Sequence, residues 1–140
     1  MKKAIIILAI LITVGAASSR DVLAQTWYTA NQVTLAWDPV AKVLATDQAN
    51  RYQVYSRNDL VSNGTPISGE IAEMQLVISF TVEGRYYLGV EAIRYPAGET
   101  VGIRSAGKAW SNVAADTNNN PFGVSFFAVP GNVGGLRLIP

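Results

Sequence analysis

The sequence predicts an all-β sandwich. Three observations predict it: apolar residues alternate with a period of two in several short runs, turn-forming residues separate those runs, and helical periodicity is absent beyond the first two dozen residues. Short strands punctuated at regular intervals by Gly, Pro, Asn and Asp are the pattern of two packed sheets.

The first alternating run is Val33, Leu35 and Trp37, with Thr34 and Ala36 facing the other way and Asp38-Pro39 ending it. Tyr52 and Val54 repeat the pattern in RYQVYSR, followed by a turn at Ser62-Asn63-Gly64-Thr65-Pro66. Leu76, Ile78 and Phe80 form a third set. The longest run places Tyr86, Leu88, Val90 and Ala92 on one face and Tyr87, Gly89, Glu91 and Ile93 on the other. Lys108 to Val113, holding Trp110, reads as the last strand of the set. Trp37, Tyr52, Phe80 and Tyr86 fall on the inward parity of their strands and are expected in the core; Trp27, Tyr28, Tyr95 and Trp110 are expected at the surface.

The N-terminus reads as a targeting segment. Met1-Lys2-Lys3 is a basic start, and Ala4 to Ala17 is an uncharged apolar run of 14 residues. That length suits the hydrophobic region of a signal peptide and falls short of the roughly 20 residues of a membrane-spanning helix. Val22-Leu23-Ala24 supplies a small residue for cleavage before Gln25, with cuts after Ala17 or Ser19 as alternatives, so residues 1–24 are expected to be removed. The mature chain is then secreted or periplasmic, of bacterial type, with no stable membrane anchor.

Composition closes several functional classes. Among 140 residues there is no Cys and no His. This removes a thiol nucleophile, a Ser-His-Asp triad, a Cys/His zinc site, a His-ligated haem and any disulfide. Removal of Lys2, Lys3, Arg20 and Asp21 leaves eight basic and nine acidic side chains in the mature chain. No basic cluster remains, so neither nucleic acid nor an anionic membrane surface is an expected partner.

The ordered motifs resemble the fibronectin type III family. VTLAWDPV, Val33 to Val40, is similar to that family's strand B with Trp37 as the core Trp, and RYQVYSR is similar to strand C. Phe80 and Tyr86 are spaced like the pair at the family's tyrosine corner, with YYLGVEAIR continuing as strand F. The resemblance spans Gln32 to Val113 and implies an immunoglobulin-like (fibronectin type III) β-sandwich with a C-terminal extension. It divides the chain into a signal peptide at 1–24, the sandwich at 25–115, a linker at 116–121 and an apolar extension at 122–140. In a corner of this kind the Tyr hydroxyl bonds backbone across the turn while its ring packs inward.

Two departures from the family pattern bear on function. With cleavage before Gln25, only QTWYTAN precedes strand B, so strand A is expected to be short or absent and a sheet edge to stand open. Beyond the polar DTNNNP, the segment FGVSFFAV puts Phe122, Val124 and Phe126 on one face, and PGNVGGLRLIP follows with Leu136 and Leu138. These five residues form a candidate assembly segment, expected to fill the open edge in its own domain or in a neighbouring copy.

Signals of chemistry resolve toward structure. Asp116, Asn118 and Asn120 have the spacing that opens a calcium loop, but Pro121 stands where Gly is needed and Phe127 where a bidentate Glu is needed. Asn63-Gly64-Thr65 matches a glycosylation sequon and reads as a tight turn. Glu70 and Glu73 are the nearest pair of carboxylates and read as surface groups. No cofactor, no metal and no catalytic residue is expected. The segment YPAGETVGIRSAG reads as the F to G loop, which many fibronectin type III domains use for binding, and Tyr95, Glu99 and Arg104 are its candidate contacts. The expected function is a non-enzymatic binding module for a protein or glycan at the cell surface or in the periplasm. The alternative is a structural subunit that assembles by exchanging its C-terminal strand.

Overall fold

The computed structural model describes residues 25–131, 134–135 and 137–139. The expected signal peptide and its cleavage site, and Leu136 of the candidate assembly segment, lie outside the described residues. Nine strands follow in order: β1 Thr26–Thr29, β2 Gln32–Ala36, β3 Arg51–Arg57, β4 Thr65–Pro66, β5 Gln75–Ser79, β6 Gly84–Arg94, β7 Ile103–Arg104, β8 Ala109–Trp110 and β9 Phe122–Phe126. The only helical element among the described residues is a 3₁₀ turn, Ala114–Thr117. The fold is all-β and consistent with a β-sandwich.

The large sheet runs β1-β9-β6-β3-β4, with β7 and β8 also pairing β6; the small sheet is β2 with β5. Strand β6 organises the large sheet because it is long enough to pair β3 over seven residues, Arg51↔Ile93 to Arg57↔Tyr87, and still pair β7, β8 and β9 along its other edge. Its predicted parity faces the core through Leu88 and Val90, which meet Val54 of β3 and Val124 of β9. Ile78 and Phe80 close the core from the small-sheet side, with Val33, Leu35 and Trp37 packed against them. Val54 is 0 % exposed and Leu88 2 %, so each contributes roughly 1.5–3 kcal/mol of apolar burial.

The turn from β5 to β6 is held as the Phe80 and Tyr86 spacing predicts. The Tyr86 hydroxyl donates to the Val82 carbonyl at 2.6 Å, and the Phe80 and Tyr86 rings stand 4.8 Å apart. Asn118 and Asn119, at φ 52° and 66°, turn the chain after the 3₁₀ element and send it into β9.

Two expectations need correction. The strand expected over Lys108 to Val113 is ordered as β8 over two residues only, because Ser111 breaks the ladder: it exchanges bonds with Leu88 through both backbone and hydroxyl, and its carbonyl accepts from Phe122 N–H at 2.7 Å. Trp110, expected at the surface, is 9 % exposed. It lies on the outer face of the large sheet opposite Gly89 and beside Gly64, where the missing side chains leave a seat for the indole.

The short front and the C-terminal segment meet in one place. β1 pairs β9 in parallel, Thr26↔Phe122 to Thr29↔Ser125, and β9 pairs the start of β6 antiparallel. Residues 122–126 are thus an internal strand of the large sheet in their own chain, with Val124 1 % exposed. The segment expected as a linker is tied down as well: the Asp116 carboxylate accepts from Trp110 N–H at 3.0 Å, and the Pro121 carbonyl accepts from Thr26 N–H at 3.0 Å.

Candidate functional site

Two surfaces carry the residues singled out in the sequence. The first is the loop end of the large sheet's outer face. Arg104 on β7 pairs Ile93 and so points to the same face as Glu91. Its guanidinium bonds the Glu91 carboxylate at 2.6 Å and the Glu70 carboxylate at 3.3 Å. The Tyr55 hydroxyl donates to Glu91 at 2.7 Å, the Tyr95 hydroxyl donates to Glu70, and Lys108 sits 4.3 Å from the centre of the Tyr55 ring. Burial by itself would push the Glu91 carboxyl up; the Tyr55 and Arg104 hydrogen bonds outweigh it and hold Glu91 below its usual range. Tyr95 is raised, chiefly because its hydroxyl is bonded to the Glu70 carboxylate.

Tyr95 and Arg104 are therefore brought together, with Glu70 between them. Glu99 is not part of the cluster. It lies in the exposed turn after Pro96, and its backbone carbonyl accepts from the Gln48 side chain at 2.8 Å. Gln48 also binds the Pro96 carbonyl and, through its own N–H, the Tyr95 carbonyl at 2.9 Å, so the 41–50 loop is fastened to the 95–102 loop. Asp47 anchors that junction. It is buried, accepts from Arg94 at 2.7 and 3.0 Å and from Leu44 N–H at 2.9 Å, and the Arg94 bond holds its carboxyl below the usual range. The bonds of Asp47, Gln48, Glu70, Glu91, Arg94 and Arg104 tie the loops of this end together and fix their geometry.

Further along the same face, cations and aromatic rings alternate. Arg85 lies 5.0 Å from the Trp27 ring, Trp27 packs on Tyr87 at 5.4 Å, and Arg57 stacks on Trp110 at 3.9 Å. Sequence reasoning set Glu91 on this face without giving it a role and missed Tyr55 and Arg57 as its neighbours, although one signal was present: an acidic residue between Val90 and Ala92 in the longest alternating run.

The second surface is the open side of the small sheet. β2 and β5 pair in register from Gln32↔Ser79 to Ala36↔Gln75. Phe80 N–H donates to Asn31 and Trp37 N–H to Met74, so the odd-numbered residues of β2 turn their backbone groups toward β5. Gln32, Thr34 and Ala36 then present N–H and C=O on the far edge, where no strand pairs among the described residues. Edges are commonly blunted by Lys, Pro or a bulge, and this one carries Gln, Thr and Ala.

Under that edge the two sheets do not close. Two adjoining cavities of about 640 and 400 Å³ share Tyr28, Leu35, Leu88 and Phe122 in their walls; Val33 and Val124 extend the apolar end, and Asp38 and Asp116 stand at the other. Trp37 lines the larger cavity, and its indole N–H has no partner. The opposite edge of the small sheet, along β5, also has no strand paired to it among the described residues and covers a cavity of about 280 Å³. Of the candidate assembly segment, Phe122 and Val124 thus form the wall of the groove, Phe126 packs against the core, and Leu138 is exposed.

No family model, curated protein or solved structure matches this chain. Function therefore rests on the geometry of these two surfaces. Among the described residues no three His, Cys, Asp or Glu side chains gather as a metal site would require, and Glu73 is exposed while Glu70 is engaged with Tyr95 and Arg104.

Proposed function

We propose that this chain is a secreted, non-enzymatic interaction module of the fibronectin type III kind, acting at the cell surface or in the periplasm, and that it binds by accepting an extended strand along β2. The observation that carries the reading is the uncharged edge of β2, unpaired among the described residues, above a groove with an apolar end at Val33, Leu35 and Val124 that none of the described residues fills. An added strand supplies backbone partners to Gln32, Thr34 and Ala36 while its alternate side chains enter the groove, giving affinity from main-chain bonds and selectivity from the pockets. Partner identity in this reading is a protein segment.

The loop cluster of Tyr95, Glu70 and Arg104 has a supporting part in the proposal: it sets the conformation of the 95–107 segment, and its partly exposed Arg104 keeps that end polar.

The test is selection of random peptides displayed on phage against the immobilised chain, followed by binding to Thr34→Pro and Arg104→Ala variants. Thr34 is exposed and its N–H faces the free edge, so proline removes one edge donor without touching the core. The expected result is a family of peptides with alternating apolar residues whose binding is lost in Thr34→Pro and kept in Arg104→Ala. Peptides indifferent to Thr34→Pro and lost in Arg104→Ala would overturn the proposal in favour of the loop end.

A further inference from the structure

The strand-acceptor reading leaves open what fills the groove, and the inference here rests on that reading. The chain itself carries a segment of matching pattern. Beyond β9 it continues through Val129 and Pro130 to a terminal stretch containing Gly134-Gly135-Leu136-Arg137-Leu138-Ile139. Val129, Leu138 and Ile139 are 90 %, 97 % and 83 % exposed. One molecule thus holds exposed apolar residues beyond β9 and a groove that none of the described residues fills.

Pattern and charge both fit. Leu136 and Leu138 stand two apart, so an extended conformation sends both to one side and Arg137 to the other. Arg137 is the only charged residue after Asp116. Asp38 follows β2 on the outward parity of Gln32, Thr34 and Ala36, at the rim of the groove. A strand that buries Leu136 and Leu138 under β2 therefore presents Arg137 on the face that carries Asp38, an opposite-charge cross-strand arrangement.

Direction separates the two ways of filling the edge. The chain leaves β9 at the pole where β2 begins: Ala30 N–H donates to the Ser125 carbonyl at 3.2 Å, and Ala128 N–H donates to the Glu83 carboxylate at 2.8 Å. Folding back in its own molecule, the segment would enter beside Gln32 and run parallel to β2, the slightly weaker pairing. Coming from another molecule it is free to run antiparallel.

We propose that the Leu136-Arg137-Leu138 segment of one copy adds as a strand to the free edge of β2 in a second copy. Donor and acceptor are different surfaces of the same chain, so the contact is heterologous. It repeats head to tail into linear assemblies unless the rotation closes a ring.

The experiment uses the chain from Gln25 onward, which carries every strand described, and measures molar mass by light scattering over a wide range of concentration. The parent is expected to form a concentration-dependent ladder of oligomers. Leu136→Asp/Leu138→Asp, which has no usable donor, and Thr34→Pro, which has no usable acceptor, are each expected to lose every species above the monomer. Mixed in equal amounts they should give a single heterodimer, because each supplies what the other lacks. A donor variant that assembles like the parent, a monomeric parent, or a mixture without heterodimer would overturn the proposal. Leu138 is almost wholly exposed, so the donor variant decides the matter even where Thr34→Pro does not fold. If the parent is monomeric, the phage-selected peptides separate the two failures: binding lost in Thr34→Pro means that only the occupant was misassigned, and no such binding means that the acceptor reading fails too.

Discussion

Gly89→Ala isolates the reason that a large aromatic lies buried on the outer face of the sheet. Gly89 has no positive φ, so it is space and not backbone freedom that calls for glycine there. A Cβ at this position would stand 2.7 Å from Cε3 and Cζ3 of Trp110 and 2.9 Å from Cδ2, against about 3.5–4.0 Å for carbon atoms at ordinary contact. The indole must move by about 1 Å, an overpacking that costs roughly 1–3 kcal/mol. The move also disturbs the Arg57 guanidinium at 3.9 Å from the ring, an interaction of about 0.5–2 kcal/mol. Replacing a strand glycine returns about 0.5–1 kcal/mol. The net expectation is a loss of about 2 kcal/mol, or on the order of 10 °C in Tm for a domain of this size. Urea unfolding followed by circular dichroism measures it in two backgrounds, the parent and Trp110→Val. Without the indole, Gly89→Ala should be neutral or stabilising, giving a coupling of about 2 kcal/mol. An equal loss in both backgrounds would refute the seat argument and assign Gly89 a role in the backbone alone.

Three further outcomes follow from the same contacts. Tyr86→Phe removes the bond to the Val82 carbonyl and should cost about 1 kcal/mol in urea unfolding; no loss would mean that the corner is held by ring packing alone. Asp47 and Glu91 both lie below their usual values when folded, so their contribution to stability is complete above about pH 5 and is lost as pH falls through the folded-state values. Acid unfolding of Asp47→Asn should show a shallower pH dependence than the parent, and an unchanged slope would remove Asp47 from the account. Arg104→Ala frees Glu91 of its closest cation while Tyr55 remains, so the Glu91 carboxyl should titrate at higher pH, observable by its side-chain NMR signal; an unmoved titration would contradict the pairing.

Alternation read along the chain was enough to place β2, β3, β5 and β6 and to assign their inward residues, because burial on one face imposes a period of two wherever a strand is long. Val54, Ile78, Leu88 and Phe80 are core for that reason. The pairing of β1 with β9 was not legible, since Thr26 and Phe122 are brought together only after β6 has formed. Trp110 was misread as exposed because its burial depends on Gly89 in β6 and on Gly64 in the turn before β4, which leave no mark near residue 110. Tyr95 and Arg104 were named from loop position alone; Glu70, which links them, comes from the connection between β4 and β5 and was read only as a surface carboxylate beside Glu73. An open edge at β2 was expected from reading residues 1–24 as a targeting segment, and among the described residues that edge is unpaired.

The free edge of β2 is the central claim, and residue-resolved amide hydrogen exchange of the chain at a concentration too low for self-association tests it most directly. The backbone pattern predicts protection at Val33 and Leu35, whose N–H groups face β5, and rapid exchange at Thr34 and Ala36, whose N–H groups face outward. Uniform protection from Gln32 to Ala36 would mean that a strand already covers the edge within its own molecule, and would contradict both the acceptor site and the assembly built on it.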